Sequence, residues 1–195
     1  MYHSAMGLSP QRVRTRQAIL DGAAKEWAHD PTVGLARIAA TAGVGRATIH
    51  RYFPDREHLH QSLVSDSWAT LREAIEQAGP GTGSALEVIE RFVSAMVHLD
   101  DRIRFLFTAT EGAASDADAP IAKAVDALLI GEIERGQREG ILDATVPAGW
   151  IERMIWSTVY TGLDAASDGL LARHRVEDLI RRTLRRVVES QPPAG

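Results

Sequence analysis

Residues 33–53 constrain the fold of this 195-residue chain more than any other segment. The first half predicts a short helix with one apolar face, because four apolar residues recur at helical spacing: Leu35, Ile38, Ala39 and Ala42. Gly43 is expected to end this helix, since glycine adopts the left-handed conformation that a helix stop needs. A second short helix follows the turn, so the segment predicts a helix-turn-helix whose second helix lies in the major groove of DNA.

In the turn and second helix, Val44, Ile49 and Phe53 can point inward. The side chains left outside are Arg46, Ala47, Thr48, His50 and Arg51. Either arginine of this set can read a guanine through a bidentate pair of hydrogen bonds.

This segment resembles the amino-terminal DNA-binding domain of the tetracycline-repressor-like (TetR) family of bacterial regulators. The residues that carry the resemblance form one ordered pattern: Ile38-Ala39, Ala42-Gly43-Val44, Ala47-Thr48-Ile49, Tyr52-Phe53-Pro54 and Arg56-Glu57-x-Leu59. The resemblance covers roughly residues 12–64. It implies that Arg46, Ala47, Thr48, Arg51 and Tyr52 face the groove and its rims, and that His50 and Arg56 lie near phosphates.

Four positions depart from the family pattern. Gly34 and Gly45 stand where the family often has a hydroxyl residue at the start of each motif helix. Glycine is an acceptable cap, but it offers no hydroxyl to a phosphate. His50 replaces the usual tyrosine and Arg56 the usual lysine. A phosphate contact from His50 would depend on pH, because histidine titrates near neutrality.

The charge of the chain is unevenly distributed. The net charge is −4, which at first argues against a DNA-binding protein. Residues 1–60, however, hold eight Lys and Arg against five Asp and Glu, whereas residues 61–195 hold fourteen against twenty-one. The end that carries the motif is therefore at +3 and the remainder at −7. Phosphate binding needs a local basic surface rather than a basic protein.

Composition places the chain among ordinary globular proteins, with 45% hydrophobic and 25% charged residues. No apolar run approaches the roughly 18 residues that span a membrane, and the first residues lack the features of a signal peptide. The chain has no cysteine, which excludes disulfides and thiolate metal sites and fits a cytoplasmic protein.

The hydrophobic spacing predicts an all-α protein of about nine helices, with a three-helix helix-turn-helix domain followed by a larger helical bundle. Residues 1–10 are expected to be a flexible tail and 11–54 the DNA-binding domain. The resemblance implies that residues 55–195 bind ligand and dimerise, with helix 55–78 as the connector. Ser84-x-x-Glu87 predicts a capping box, and Gly140 a Schellman ending.

The last two predicted helices, 147–168 and 175–190, are apolar on more than one face. The resemblance implies that they form a homodimer interface, while the alternative is ordinary monomer core. A dimer also follows from the motif, because one short helix reads few bases and two of them read a palindromic operator. The basic residues Arg12, Arg14 and Arg16 are either a solvated patch or a further phosphate contact.

The resemblance implies that the second domain binds a small-molecule effector, which nothing in the sequence identifies. Pockets are mostly apolar with a few polar groups, so the candidates are Phe92, Met96, Phe105, Thr110, Glu111, Trp156 and Tyr160. The alternative is that the aromatic residues and Met96 are only core.

No catalytic constellation is present in the sequence, and neither a cofactor nor a metal site is predicted. His58-x-His60 is the nearest approach to a metal pair, but residues two apart do not face each other on a helix. Residues 79–83 lack the Gly-Lys-Ser/Thr ending of a phosphate loop. The resemblance implies a homodimeric repressor that a small-molecule effector releases from a palindromic operator. The alternative is a helical small-molecule binding protein with weakened operator binding.

Overall fold

The structure is a computed structural model that describes residues 9–109 and 118–188. These residues form nine α-helices and one 3-10 helix, and they contain no strand. The α-helices are α1 Pro10–Trp27, α2 Leu35–Thr41, α3 Arg46–Tyr52, α4 Arg56–Gln77, α5 Ala85–His98, α6 Asp100–Ala109, α7 Ala119–Arg138, α8 Ala148–Ser167 and α9 Val176–Val188. The predicted all-α fold, with its helix-turn-helix at the amino-terminal end, is confirmed.

The chain divides into two compact units, and the division falls within α4 between Asp66 and Ser67. Unit 1 contains α1, α2, α3 and the first half of α4. Its helices bury a small apolar core formed by Ile19, Leu20, Trp27, Ile38, Ile49, Phe53, Leu59 and Leu63. This core holds the two short motif helices, which are too short to be stable alone.

Unit 2 is a helical bundle in which α5 packs against α6, α7, α8 and α9. Helix α8 also packs against α6, α7 and α9. The apolar faces meet in one core that includes Phe92, Met96, Val125, Leu129, Ile133, Ile155 and Val159. None of the described helices combines the length and the apolar character needed to cross a membrane.

Local signals set the ends of several helices as the sequence predicts. The Ser84 hydroxyl accepts from the backbone N–H of Glu87 at 3.3 Å, and the Glu87 carboxylate accepts from the N–H of Ser84 at 2.9 Å. This reciprocal capping box begins α5. At the end of α7, Gly140 has a φ of 71° and the N–H of Ile141 donates to Gly136 at 2.9 Å, which is the predicted Schellman ending.

Helix α1 begins within the stretch that was expected to be a flexible tail. The Ser9 hydroxyl accepts from the N–H of Arg12 at 3.4 Å, and Pro10 begins α1. Proline suits this position because its fixed φ is already helical and it has no N–H to satisfy. Residues 1–8 lie outside the described part of the chain. Helix α9 begins one residue later than predicted, after a 3-10 turn at Arg173–Arg175, and residues 189 and 190 lie outside the described part.

The glycine-rich segment 79–83 is a loop held by charged side chains. Arg91 donates to the carbonyls of Ala78 at 2.6 Å and Thr82 at 2.7 Å. The buried carboxylate of Glu132 accepts from the N–H of Gly81 at 2.7 Å. These contacts hold the loop against α5 and α7. Its glycines allow the chain to turn between α4 and α5.

Candidate functional site

The turn of the helix-turn-helix is closed by backbone hydrogen bonds. Gly43 has a φ of 67°, and its N–H donates to Ala40 at 3.1 Å. The next N–H, of Val44, donates to Ala39 at 2.9 Å. This pair of bonds ends α2 and lets the chain reverse into α3. The angle between the two helices is therefore set by the backbone before any contact with DNA.

A close approach of α1 seats the same turn. A Cβ atom at Gly22 would lie 3.1 Å from the Cβ of Ala42 and 3.1 Å from its backbone nitrogen. Only glycine allows the helix to come so near without displacing the turn. Ile38 and Ile49 are fully buried beneath it. Unit 1 thus presents α3 from a packed base.

The outer face of α3 carries the predicted DNA-contacting residues. Arg46, Ala47, His50 and Arg51 are exposed, and Thr48 and Tyr52 are half-buried at the edges. The Arg51 guanidinium lies 5.6 Å from the centroid of the Tyr52 ring. Nδ1 of His50 lies 3.2 Å from the carbonyl oxygen of Pro54. The structure thus gathers these six residues on one short helix, although their contacts with DNA stay a prediction.

Arg56 is more strongly engaged within the fold than the arginines of α3. Its guanidinium donates to the carbonyls of Val33 and Pro31 and lies 4.7 Å from the centroid of the Trp27 ring. The Trp27 indole N–H donates to the same Val33 carbonyl at 2.9 Å. Arg56 therefore holds the loop before α2, a role that the sequence did not reveal. Its predicted phosphate contact stays a prediction.

The basic start of α1 is only partly free. Arg16 lies 3.8 Å from the Asp66 carboxylate, and its guanidinium lies 5.6 Å from the centroid of the Phe53 ring. Arg12 and Arg14 are exposed. Arg16 therefore fits a structural role, and for Arg12 and Arg14 a solvated patch and a phosphate contact both stay predictions.

The two histidines of α4 contact different groups. His58 is exposed and bonds to Asp55, whose carboxylate also accepts the His58 backbone N–H at 2.9 Å. These bonds hold the pKa of Asp55 below its usual range. His60 is half-buried with its ring 5.7 Å from that of Trp27, and burial lowers the pKa of His60. Across residues 9–109 and 118–188, no group of His, Asp and Glu side chains is arranged to hold a metal ion.

The predicted ligand-binding residues of unit 2 fall into three groups. Phe92, Met96 and Phe105 are 0–2% exposed and are buried side chains. Trp156 and Tyr160 are half-buried on α8. Residues 110 and 111, the predicted Thr110 and Glu111, lie outside the described part of the chain. The ligand contacts of the whole set stay a prediction.

Trp156 and Tyr160 belong to an aromatic cluster that the sequence did not reveal in full. The Phe107 ring stacks on that of Tyr160, with centroids 4.5 Å apart and an angle of 18° between the planes. Trp156 lies 6.1 Å from Phe107 and 6.1 Å from Trp68, the latter edge to face. The Nε1 atom of Trp68 is buried and has no hydrogen-bond partner among the described residues. Three helices, α4, α6 and α8, supply these rings.

Two acidic side chains adjoin this aromatic cluster. Glu152 of α8 is only 8% exposed, and its carboxyl group shares a hydrogen bond with Asp126 of α7. Burial raises the pKa of Glu152, and the charge of Asp126 raises it further. Burial raises the pKa of Asp126 as well. The spacing of Glu152, Trp156 and Tyr160, each four residues apart, was the available sequence signal.

Helices α8 and α9 border an open apolar groove of about 430 Å³. Its lining includes Ser157, Thr161, Gly162, Leu170, Leu179 and Ile180. Leu170 is 79% exposed. At Gly162 the helices come so close that a Cβ atom would lie 2.8 Å from Ile180. The groove lies on the helices predicted to form the dimer interface.

Comparison with known proteins agrees with this geometry. The model of the family "Bacterial regulatory proteins, tetR family" matches residues 19–63, which span the motif. The HTH-type transcriptional repressor LfrR of Mycolicibacterium smegmatis is 34% identical over 176 residues, covering 90% of this chain and 91% of the repressor.

Solved structures extend the similarity to the whole fold. The crystal structure of the TetR-like regulator LfrR from Mycobacterium smegmatis in complex with proflavine has a TM-score of 0.72 and 32% identity, and the match covers 93% of this chain and 99% of that one. The ketosteroid transcriptional regulator KstR2 of Mycobacterium tuberculosis has a TM-score of 0.73 at 15% identity, covering 95% and 98%. The second match concerns the fold alone.

Proposed function

Because the chain belongs to the TetR family of bacterial DNA-binding regulators, we propose that it is a homodimeric repressor that a small-molecule effector releases from a palindromic operator. The observation that carries the proposal is the exposed face of α3 on a packed helix-turn-helix. Similarity to a transcriptional repressor along most of the chain supports it. The proposed site of action is the cytoplasm, where bacterial DNA lies.

On DNA, α3 enters the major groove. Arg46 and Arg51 read base edges, because an exposed guanidinium forms a bidentate pair with guanine. Ala47, Thr48 and Tyr52 contact the groove and its rims, and His50 lies near a phosphate. Arg56 also lies near a phosphate. A guanidinium has five N–H donors, so the two bonds to loop carbonyls leave donors for this contact.

Dimerisation uses the outer faces of α8 and α9. The groove between them is apolar and open, and the 79% exposed Leu170 lies at its edge. A two-fold arrangement of two such faces buries the groove and gives the dimer two α3 helices, which a palindromic operator requires. Residues 55–195 then serve as the ligand-binding and dimerisation domain, with α4 as the connector.

Effector binding occurs in unit 2, on the side of the aromatic cluster. A relative that was solved with proflavine supports an effector with an aromatic ring system. The effector releases DNA by binding the DNA-free conformation more tightly than the DNA-bound one, since only a difference in affinity shifts such an equilibrium.

The first test is selection of DNA from a random pool at near-physiological salt. We expect enrichment of an inverted repeat with half-sites about one helical turn or more apart. Arg51→Ala should then weaken binding to that repeat by about tenfold or more. Arg138→Ala, which removes an exposed arginine at the end of α7, should leave the affinity unchanged. Equal affinities of the wild type and Arg51→Ala at all salt concentrations would contradict the assignment.

The alternative function is a small-molecule binding protein with weakened operator binding. It draws on Gly34 and Gly45, which cap α2 and α3 without a side-chain hydrogen bond. A steep salt dependence of binding to one DNA sequence would exclude this alternative. Absence of any enriched sequence, with protein that is folded and dimeric, would favour it.

A further inference from the structure

Two basic side chains of α4 lie against the ring of Trp27 in unit 1. The Trp27 side chain is only 1% exposed, and the Arg56 guanidinium lies 4.7 Å from its ring centroid. The half-buried His60 ring lies 5.7 Å from the same ring. Arg56 and His60 are four residues apart, so they share one face of α4. One indole therefore meets a permanent cation and a group that becomes a cation in mild acid.

Arg56 also holds the loop that leads into the helix-turn-helix. Its guanidinium donates to the carbonyls of Pro31 and Val33, and the Trp27 indole N–H donates to the Val33 carbonyl at 2.9 Å. The loop ends at Gly34, which caps α2 without a side-chain hydrogen bond. The start of α2 therefore depends on donors from Arg56 and Trp27. A change at the Trp27 ring can reach the motif through this loop.

The surroundings of His60 oppose a positive charge on its ring. Burial is the largest effect, and it lowers the pKa of His60. Two charged groups act on the ring, and both belong to α4: Glu57 favours the protonated form and Arg56 opposes it. From α1 the ring meets the uncharged Trp27. The loop after α1 adds Asp30, whose carboxylate interacts with Arg56.

Neighbouring charged groups of unit 1 serve other contacts. His58 is exposed and bonds to Asp55, and residues two apart do not face each other on a helix. A surface pocket at the end of α1 and the start of α2 is lined by further charged side chains, and His60 is not part of it. These side chains are Lys25, Glu26, His29 and Arg37.

We propose that His60 makes the DNA-binding unit sensitive to acid. When neutral, it packs on Trp27 beside Arg56. When protonated, it repels the Arg56 guanidinium and competes with it for the one indole ring. Arg56 then releases the loop before α2, and operator binding weakens as the pH falls. The effect on the operator rests on the proposed function, whereas the loosening of unit 1 does not.

The direction of the effect follows from proton linkage. The folded protein binds the His60 proton less tightly than the unfolded chain does, because the pKa of His60 is lowered. The contribution of neutral His60 to stability is therefore fully present above the usual histidine pKa, and it is lost as the pH falls through the lowered value. A protonated His50 near a phosphate would strengthen DNA binding instead. His50 is present in every variant compared below, so its effect cancels.

The first measurement is a proton NMR titration of the histidine rings in the full chain without DNA, with the His60 signal assigned by its loss in His60→Gln. We expect His60 to titrate below the usual histidine pKa of about 6.5. Arg56→Gln should raise this midpoint. Arg138→Gln, which removes an exposed arginine at the end of α7, should leave it unchanged. A His60 midpoint at or above the usual value, or one that Arg56→Gln does not raise, would overturn the proposal.

Amide hydrogen exchange tests the release of the loop without DNA. At about pH 5.5, below the usual histidine pKa, exchange in residues 32–38 should be about threefold or more faster in the wild type than in His60→Gln. His60→Phe keeps a ring on Trp27 that cannot be protonated, so it should match His60→Gln. His58→Gln, at the exposed histidine of the same helix, should exchange like the wild type. Equal rates in the wild type and both His60 variants would show that Arg56 holds the loop whatever the charge of His60.

Operator titration at constant salt tests the effect on DNA binding. From about pH 7 to about pH 5.5, the affinity of the wild type should fall by about threefold or more relative to both His60 variants. Thermal unfolding at neutral pH checks that each variant is folded. Parallel pH dependences of the wild type and the His60 variants would refute the effect on the operator. Absence of operator binding at every pH would refute the repressor function instead, and the NMR and exchange results would still decide the acid response of unit 1.

Discussion

Single side chains of unit 1 differ in how much of their bonding capacity the fold already uses. Arg56 donates to two loop carbonyls and covers Trp27, whereas Arg46 and Arg51 keep exposed guanidinium groups. A lysine at position 56 could not repeat this arrangement, because an ammonium group has no planar fork and no flat face. The replacement of the usual family lysine by Arg56 therefore keeps the positive charge but changes how the loop is held.

Gly45 caps α3 at the position where the family often has a hydroxyl residue, so a substitution there can test what a hydroxyl contributes. Gly45 has extended backbone, and a Cβ atom added there would meet nothing within 4 Å, so Gly45→Ser fits without strain. We expect the variant to raise the free energy of unfolding by a few tenths of a kcal/mol and to strengthen operator binding through a phosphate contact. Urea denaturation and operator titration measure the two effects. Gly45→Ala is the control, and an equal gain in affinity there would refute the role of the hydroxyl.

The carboxyl group of Glu152 should make the free energy of unfolding depend on pH. Burial raises its pKa in the folded protein, so the folded state binds this proton more tightly than the unfolded state. The protonated Glu152 carboxyl group therefore favours the folded state at low pH. This favourable contribution is lost as the pH rises from the usual pKa of glutamate through the raised pKa of Glu152 in the folded protein. Glu152→Gln removes that loss. We expect its free energy of unfolding to increase relative to wild type over this pH window.

Glu87 provides a control of opposite sign. Hydrogen bonds from Ser84 hold the pKa of Glu87 below its usual range, so its contribution is present at neutral pH and is lost as the pH falls. Glu87→Gln should therefore lose stability relative to wild type as the pH rises. Urea denaturation of both variants at several pH values measures the two trends, and parallel trends would contradict the assigned directions.

At the scale of helices, close approach depends on a few glycines. Gly22 lets α1 approach the motif turn, and Gly162 lets α8 approach α9. Neither glycine has a positive φ, so the requirement lies in space rather than in backbone conformation. Helix ends depend on local backbone interactions instead. Ser84 begins α5 through a capping hydrogen bond, and Gly140 ends α7 by adopting the left-handed conformation. These local end signals are why the helix order could be predicted.

Gly162→Ala should separate packing from helix propensity. The new Cβ would lie 2.8 Å from two side-chain atoms of Ile180, so that side chain or one of the two helices must shift, and we expect a loss of about 1–3 kcal/mol in the free energy of unfolding. Gly131→Ala is the matched control within α7, where a Cβ meets nothing within 4 Å. It should increase stability by up to about 1 kcal/mol. Thermal or urea unfolding compares them, and a stable Gly162→Ala variant would refute the close approach.

At the scale of the whole molecule, the fold was more predictable than the sites. Helix ends follow from signals within a few residues, as at Ser84 and Gly140, and the motif follows from an ordered local pattern. The aromatic cluster joins Trp68, Phe107 and Trp156 from three helices, and no local rule brings them together. The sequence proposed the fully buried Phe92 and Met96 as ligand-binding residues alongside Trp156, because hydrophobic periodicity does not distinguish a core residue from one that lines a binding site.

The proposed dimer can be tested at one exposed residue. Leu170→Glu places a charge at the edge of the groove between α8 and α9, and the side chain is already 79% exposed. We expect the monomer to remain folded and the dimer to dissociate at least about tenfold more readily, because the charge would be buried on association. Sedimentation measures the equilibrium. Val13→Glu, an exposed apolar position of α1, is the control, and an unchanged equilibrium for Leu170→Glu would place the interface elsewhere.

The contact between Trp68 and Trp156 has a spectroscopic consequence. Near-ultraviolet circular dichroism reports the fixed packing of aromatic side chains, and two indoles at 6.1 Å in an edge-to-face pair form a strongly asymmetric chromophore. Trp150 is 61% exposed and can be replaced by phenylalanine, which leaves the buried Trp27 of unit 1 as a constant background. A change in the remaining signal on addition of a colourless effector would then report on the aromatic cluster without a dye or a label.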